Sequence, residues 1–118
     1  MKTTPIRIFI ADDHPIVRQG LRRIVEADAG LMISGEAGDA ATLCNALDSA
    51  ATDLVLLDVS MPGGPFLETL RSLRERHPTV RVLVLSVHPE DQWAVRALRA
   101  GAMGFHPMGK QLYSWAPK

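Results

Sequence analysis

The sequence has little of three things: cysteine, net charge and long hydrophobic runs. Cys44 is the only cysteine among 118 residues, so the chain forms no internal disulfide, which suits a reducing compartment. Its 13 basic and 13 acidic residues cancel, which argues against a dedicated nucleic-acid binder. No apolar run approaches the ~20 residues of a membrane span or forms the core of a secretory signal. These features predict a cytoplasmic protein with no membrane segment.

What is present is enough apolar sequence for one ordinary domain. Hydrophobic residues make up 47% of the chain, which excludes intrinsic disorder as the default. A chain of this length buries roughly two-thirds of its unfolded surface without a metal or disulfide staple. No linker, repeat or low-complexity tract divides it. We therefore predict a single domain over residues 1–118, in which residues 109–118 form an atypical tail.

Short apolar runs alternate with amphipathic stretches along the chain. The runs that predict buried strands are Ile6 to Ala11, Leu31 to Ala37, Leu54 to Leu57, Val82 to Leu85 and Met103 to Pro107. Continuous apolar runs are typical of parallel strands that are covered on both faces. Helical spacing fills the intervals, with Pro15 in the first turn of one helix and Asp39 as the N-cap of the next. Four βα units and a final strand predict an α/β fold with a doubly wound, five-stranded parallel sheet.

Acidic residues stand where such a sheet would carry a site. Asp12 and Asp13 follow the first strand, and Asp58 ends the third. In open α/β sheets, sites form at the carboxyl ends of the strands. Three carboxylates held together repel one another, so the cluster is unfavourable without a cation. Because hard oxygen ligands suit Mg²⁺, we predict a magnesium site rather than three unrelated helix caps.

Several segments, in order and spacing, resemble the receiver domain of two-component response regulators. They are Ile10 to Leu21 (IADDHPIVRQGL), Gly35 to Ala40 (GEAGDA), Leu56 to Gly63 (LLDVSMPG), Val84 to Ser86 (VLS) and Ala100 to Phe105 (AGAMGF). More narrowly, they resemble the NarL/FixJ group, whose receivers usually precede a LuxR-type helix-turn-helix. The resemblance covers most of the chain and implies a flavodoxin-like sheet with strand order 2-1-3-4-5.

The resemblance implies a chemical role for each acid. Asp58 would accept a phosphoryl group from a partner histidine kinase or phosphotransfer protein. Asp12 and Asp13 would hold Mg²⁺ together with Asp58 and the backbone carbonyl of Ser60. A carboxylate is a competent nucleophile, and phosphoryl transfer mainly needs in-line positioning and neutralised oxygens. We therefore expect a phosphoacceptor signalling domain rather than a classical enzyme.

The switching part of the pocket both matches the family and departs from it. By resemblance, Ser86 would bond a phosphoryl oxygen and move with it, and Phe105 would be the aromatic switch. The family's lysine falls at Met108, which carries no charge to set against a phosphate. Lys110, two residues on, is the candidate for a displaced lysine. Phosphorylation remains the expectation, whereas the coupling of phosphate to the switching surface stays open.

Residues 109–118 are too few for the closing helix that the resemblance implies. We expect that helix to be short or missing, which would expose apolar sheet surface. The consequence would be a homodimer or a domain-swapped oligomer. No helix-turn-helix is present in these residues, so we expect no direct DNA binding by this chain.

Three alternatives compete with a working receiver. A degenerate or truncated receiver would act as a phosphorylation-independent interaction or dimerisation module; Met108 favours this reading and the acidic trio opposes it. A phosphatase of the haloacid dehalogenase type needs an Asp-x-Asp motif, which Asp12-Asp13-His14 does not supply. A flavin mononucleotide binder would have to cradle phosphate in its first loop, where Asp12 and Asp13 would repel it.

Overall fold

A computed structural model describes residues 4–58, 65–86 and 104–107, with side chains described for 4–58, 65 and 67–85. The strands are β1 (Ile6–Ala11), β2 (Leu31–Ala37), β3 (Leu54–Asp58), β4 (Arg81–Ser86) and β5 (Gly104–Pro107). The helices are α1 (Pro15–Glu26), α2 (Ala40–Leu47) and α3 (Phe66–Arg76). The predicted fourth helix and the tail at 109–118 lie outside the described residues. In the described ranges, no helix combines the length and apolar character needed to cross a membrane.

The five strands form one parallel sheet in the order β2-β1-β3-β4-β5. This arrangement confirms the predicted fold class and strand order. Ala11 in β1 is in register with Leu57 in β3, and Asp58 is in register with Leu85 in β4. The last residues of β1, β3 and β4, and Asp12, which follows β1, therefore lie at one edge of the sheet. We call this the carboxyl edge.

The sheet is buried on both faces, which explains the continuous apolar runs. Ile8 and Ile10 of β1 pack on one side with Leu21 and Val25 of α1. Phe9 and Ala11, the alternate residues of β1, pack on the other side with apolar residues of α2 and α3. Each fully buried large aliphatic or aromatic side chain stabilises the fold by roughly 1.5–3 kcal/mol. Both faces of β1 therefore hold it in a single register.

The helix ends follow local chemistry that the sequence contains. Pro15 occupies the first turn of α1, where its missing N–H costs nothing. The Asp39 carboxylate caps α2 by accepting a 2.8 Å hydrogen bond from the Thr42 backbone N–H. That bond and one from the Thr42 hydroxyl lower the pKa of Asp39. Helix α3 ends at Arg76, two residues before Pro78, because the residue that precedes a proline disfavours helical backbone angles.

Gly35 marks an irregularity in the pairing of β1 with β2. The register shifts between Ile8, which faces Ile33, and Phe9, which faces Gly35. A Cβ atom on Gly35 would lie 2.7 Å from Cε2 of the Phe9 ring. Phe9 is almost fully buried, so its ring has little room to move away. Glycine is therefore needed here because the ring packs directly against the β2 backbone.

Replacement of Gly35 by alanine is expected to destabilise the protein by about 1–3 kcal/mol, because the new methyl group overpacks the core against Phe9. The measurement is the free energy of unfolding from urea denaturation. Gly20→Ala is the matched control, since Gly20 lies within α1 with open space around its Cα. That change should stabilise the protein by about 0.5–1 kcal/mol. Equal effects of the two substitutions would contradict the packing argument.

A bidentate ion pair joins β1 to the residue before β3, at the amino ends of the strands and opposite the carboxyl edge. Arg7 Nε and Nη2 donate to the two carboxylate oxygens of Asp53 at 3.0 and 2.9 Å. The Arg7 backbone N–H also donates to Asp53 Oδ2 at 2.8 Å. These hydrogen bonds lower the pKa of Asp53 to about 2 from its usual 3.8. The side-chain bonds from Arg7 contribute most, and the backbone bond contributes less. The ionised carboxylate is therefore the form that favours the folded state.

Replacement of Asp53 by asparagine should lower the thermal midpoint by a few degrees at pH 7, a modest effect because water screens this partly exposed pair. The folded-state pKa lies below the unfolded value, so the wild-type advantage is complete above about pH 4 and disappears toward pH 2. Thermal unfolding of both proteins across this range tests the prediction. Glu75→Gln, on an exposed residue of α3, is the control. An advantage that stays constant down to pH 2 would refute the assignment.

Candidate metal centre

The carboxyl edge brings three acids together from two neighbouring strands. Ala11 and Leu57 are paired, so Asp12 and Asp58, the next residues of the two strands, lie side by side. The Asp12 and Asp58 side chains are only 1% and 3% exposed, whereas that of Asp13 is 31% exposed. The pocket thus has two buried carboxylates at its base and a third at its rim.

His14 completes a compact group of potential metal ligands. One ligand atom from each of Asp12, Asp13, His14 and Asp58 lies within 4.8 Å of all the others. The His14 Nδ1 atom is 2.9 Å from Asp13 Oδ1, 3.2 Å from Asp12 Oδ1 and 4.0 Å from Asp58 Oδ2. The motif contained His14, but sequence reasoning assigned it no role. Its position directly after the acidic pair was the available signal.

The donor set fits a hard divalent cation. Asp12 Oδ1 accepts a 2.7 Å hydrogen bond from the His14 backbone N–H. The other oxygen, Oδ2, is buried and accepts no hydrogen bond from the described residues. A buried carboxylate oxygen without a donor is costly, and a bound cation removes that cost. Mg²⁺ binds oxygens at roughly 2.0–2.1 Å and keeps several waters, which suits one or two close carboxylates beside a more exposed one.

Charged residues of α1 and β2 form a network that contacts the backbone of Asp12. Arg18 of α1 donates from Nη1 to the Asp12 backbone carbonyl at 2.6 Å. Its Nε is 3.2 Å from Oε1 of Glu36 in β2, and Arg22 pairs with the other oxygen of Glu36. Sequence reasoning did not identify this network. The four-residue spacing of Arg18 and Arg22 places both on one face of α1.

The remaining predicted site residues belong to β4, to β5 and to segments outside the described residues. The Ser86 backbone ends β4 at the carboxyl edge and is in register with Pro107 of β5. Phe105 lies in β5 opposite Val84. The side chains of Ser86 and Phe105 are not among those described. Ser60, Met108 and Lys110 lie outside the described residues.

Comparison with known proteins identifies a family over most of the chain. Residues 8–107 match the family model described as the response regulator receiver domain. The nitrate/nitrite response regulator NarP of Escherichia coli is 35% identical over 104 residues, covering 88% of this chain and 48% of NarP. The DNA-binding transcriptional activator DevR/DosR of Mycobacterium tuberculosis is 37% identical over 100 residues, covering 85% of this chain and 46% of its own length. The chain thus spans about half the length of these curated relatives.

Solved structures show the same fold. The signal receiver domain of a response regulator NarL from Mycobacterium tuberculosis superposes with a TM-score of 0.82 at 32% identity. That match covers 88% of this chain and 84% of the NarL domain. The RcsB response regulator of Salmonella typhimurium gives a TM-score of 0.85 at 26% identity, covering 91% of this chain and 54% of RcsB.

Mg²⁺ is expected to stabilise the wild-type protein by about 1.4 kcal/mol at ten times its dissociation constant. The Asp12→Asn variant should be at least as stable without Mg²⁺, because one of three repelling charges is gone, but should lose most of the Mg²⁺ effect. Thermal unfolding with Mg²⁺ or with a chelator measures both effects. Glu75→Gln should keep the full Mg²⁺ shift. An undiminished shift in Asp12→Asn would show that Mg²⁺ acts elsewhere.

Proposed function

The chain belongs to the family of response regulator receiver domains, and we propose that it accepts a phosphoryl group on Asp58 in a Mg²⁺-dependent reaction. The observation that carries this proposal is the placement of the buried Asp58 carboxylate among Asp12, Asp13 and His14, within 4.8 Å. Asp58 also ends the central strand of the sheet, which is paired with β1 on one side and β4 on the other, and Asp58 itself is in register with Leu85 of β4. A nucleophile on a rigid strand end is well placed for an in-line displacement.

Each residue of the site has a separate proposed role in phosphoryl transfer. An oxygen of Asp58 forms a bond to phosphorus while the bond from phosphorus to the donor's nitrogen or oxygen breaks, and the donor leaves with that electron pair. Asp12 and Asp13 would hold Mg²⁺ together with Asp58 and the carbonyl of Ser60. When bound, Mg²⁺ neutralises the negative charge that the carboxylates and the phosphoryl oxygens bring into one small pocket.

Switching is proposed to begin at Ser86. A phosphoryl group on Asp58 would attract the Ser86 hydroxyl, and Phe105 would follow as the aromatic switch. The backbone supports this connection, because β4 pairs with β5 from Leu83 to Ser86, and Ser86 itself is in register with Pro107. Met108 stands in the family's lysine position, and Lys110 is the proposed substitute for that charge.

The proposed partners follow from this role. A histidine kinase or a phosphotransfer protein would supply the phosphoryl group, in the cytoplasm. Transcription regulation is the proposed output, because one relative, DevR/DosR, is a DNA-binding transcriptional activator. Direct DNA binding by this chain is not proposed.

Self-association stays a prediction, since it rests on residues 109–118, outside the described ranges. The degenerate receiver is not favoured, because the described acidic residues are all in place.

Incubation with acetyl phosphate and Mg²⁺ should add one phosphoryl group to the wild-type protein, as measured by intact-mass spectrometry with prompt sampling. Asp58→Asn should add none, because an amide oxygen is a poor nucleophile. Asp48→Asn, a substitution of the same type in an exposed residue at the end of α2, should be phosphorylated like the wild type. Equal phosphorylation of Asp58→Asn would move the acceptor to another residue. Failure of the wild type to react while binding Mg²⁺ would favour the degenerate receiver.

A further inference from the structure

We propose that Arg18 is a positioning residue that, anchored by Glu36, holds the backbone of the β1–α1 turn so that the Asp12 carboxylate faces the metal centre. The inference rests on the proposed function, because it concerns the Mg²⁺ site of that function. Arg18 touches neither the metal nor the phosphoryl group in this role. It acts through the carbonyl of Asp12.

The geometry shows a bridge between α1, β2 and the Asp12 peptide. One nitrogen of the Arg18 guanidinium, Nη1, donates to the Asp12 carbonyl at 2.6 Å. Another, Nε, lies 3.2 Å from Oε1 of Glu36. The Arg18 side chain is only 24% exposed, so this contact is shielded from water more than an ordinary surface pair. A rigid, planar guanidinium can hold two acceptors at once, which a lysine ammonium does with much less directional control.

The anchor is itself fixed. Glu36 lies in β2, in register with Ile10 of β1, two residues before Asp12. Its second carboxylate oxygen, Oε2, pairs with Arg22, one turn after Arg18 on α1. Two arginines of one helix therefore hold a glutamate of the neighbouring strand. This arrangement ties the position of Arg18 to the sheet rather than to α1 alone.

Asp12 is thereby held at three points. Its backbone N–H donates to the Ala37 carbonyl at 3.0 Å, its carbonyl accepts from Arg18, and its Oδ1 accepts from the His14 N–H. The His14 ring also lies 3.2 Å from Oδ1, so of the two side chains that contact Asp12 here, Arg18 is the one that holds its backbone. The bond ends on the carbonyl, so the guanidinium fixes the turn while Oδ2 of the carboxylate is left for the cation. Groups that orient a metal ligand in this way contribute strongly to metal affinity.

The test measures Mg²⁺ affinity by isothermal titration calorimetry and thermal stability on the same variants. Arg18→Ala should weaken Mg²⁺ binding about tenfold, since Asp12 loses its carbonyl restraint. Arg23→Ala, an exposed arginine of the same helix, is the matched control and should change affinity by less than about twofold. Arg18→Lys should fall between the wild type and Arg18→Ala, because an ammonium can donate to the carbonyl but lacks the fork.

Reversal of every charge in the network separates positioning from simple stabilisation. The triple variant Arg18→Glu, Arg22→Glu and Glu36→Arg can re-form the ion pairs between α1 and β2, and should recover thermal stability relative to Arg18→Glu alone. It should not recover Mg²⁺ affinity, because a glutamate carboxylate cannot donate to the Asp12 carbonyl. Recovery of both properties would overturn the inference and leave a purely structural ion pair.

The outcomes also separate this inference from the proposed function. If Arg18→Ala binds Mg²⁺ as tightly as the wild-type protein, and the wild-type protein is phosphorylated on Asp58, the role of Arg18 is overturned and the proposed function stands. No Mg²⁺ binding by the wild type would overturn both, since there would be no metal affinity for Arg18 to support. The expected result is normal binding in the wild type and in Arg23→Ala, with a selective loss in Arg18→Ala.

Discussion

The pairing of β1 with β3 is the constraint on which both the core and the site depend. Side chains alternate between the two faces of a strand, so a slip of one residue in this pairing would turn every side chain of one strand to the opposite layer. Apolar residues pack closely in both layers, and such a slip would disrupt both. The register of Ala11 with Leu57 is therefore set by packing along the whole strand. The same register places Asp12 beside Asp58, so the packing of the interior decides the separation of the site's two buried carboxylates.

This arrangement places electrostatic repulsion where the fold is best able to withstand it. Three carboxylates at one strand edge oppose folding, and one buried oxygen of Asp12 lacks a hydrogen-bond donor among the described residues. The amino ends of the strands differ, because there the partly exposed Asp53 carboxylate accepts hydrogen bonds from Arg7 and its charge is compensated. A stable sheet can carry such an unfavourable cluster because its strands are secured elsewhere. Departures from local energetic consistency are typical of functional sites.

The site is also connected to the rest of the sheet through its strands. Asp58 ends the central strand, β3, and β4 lies between β3 and the outer strand β5. A single strand therefore separates Asp58 from an outer strand of the sheet. The matched relatives are about twice as long as this chain, which therefore corresponds to about half of each of them.

The strands, the helix starts at Pro15 and after Asp39, and the three acids at the strand ends are all predictable from the sequence, because they depend on hydrophobic runs and local capping chemistry. The family resemblance added the strand order, which the structure confirms. The contacts of Arg18 with Glu36 and with the Asp12 carbonyl, and the position of His14 among the acids, become visible in the folded chain alone. These contacts join residues of different elements, and they depend on how α1 packs on the sheet and on which rotamers that packing leaves open. No periodic pattern along the chain records such information.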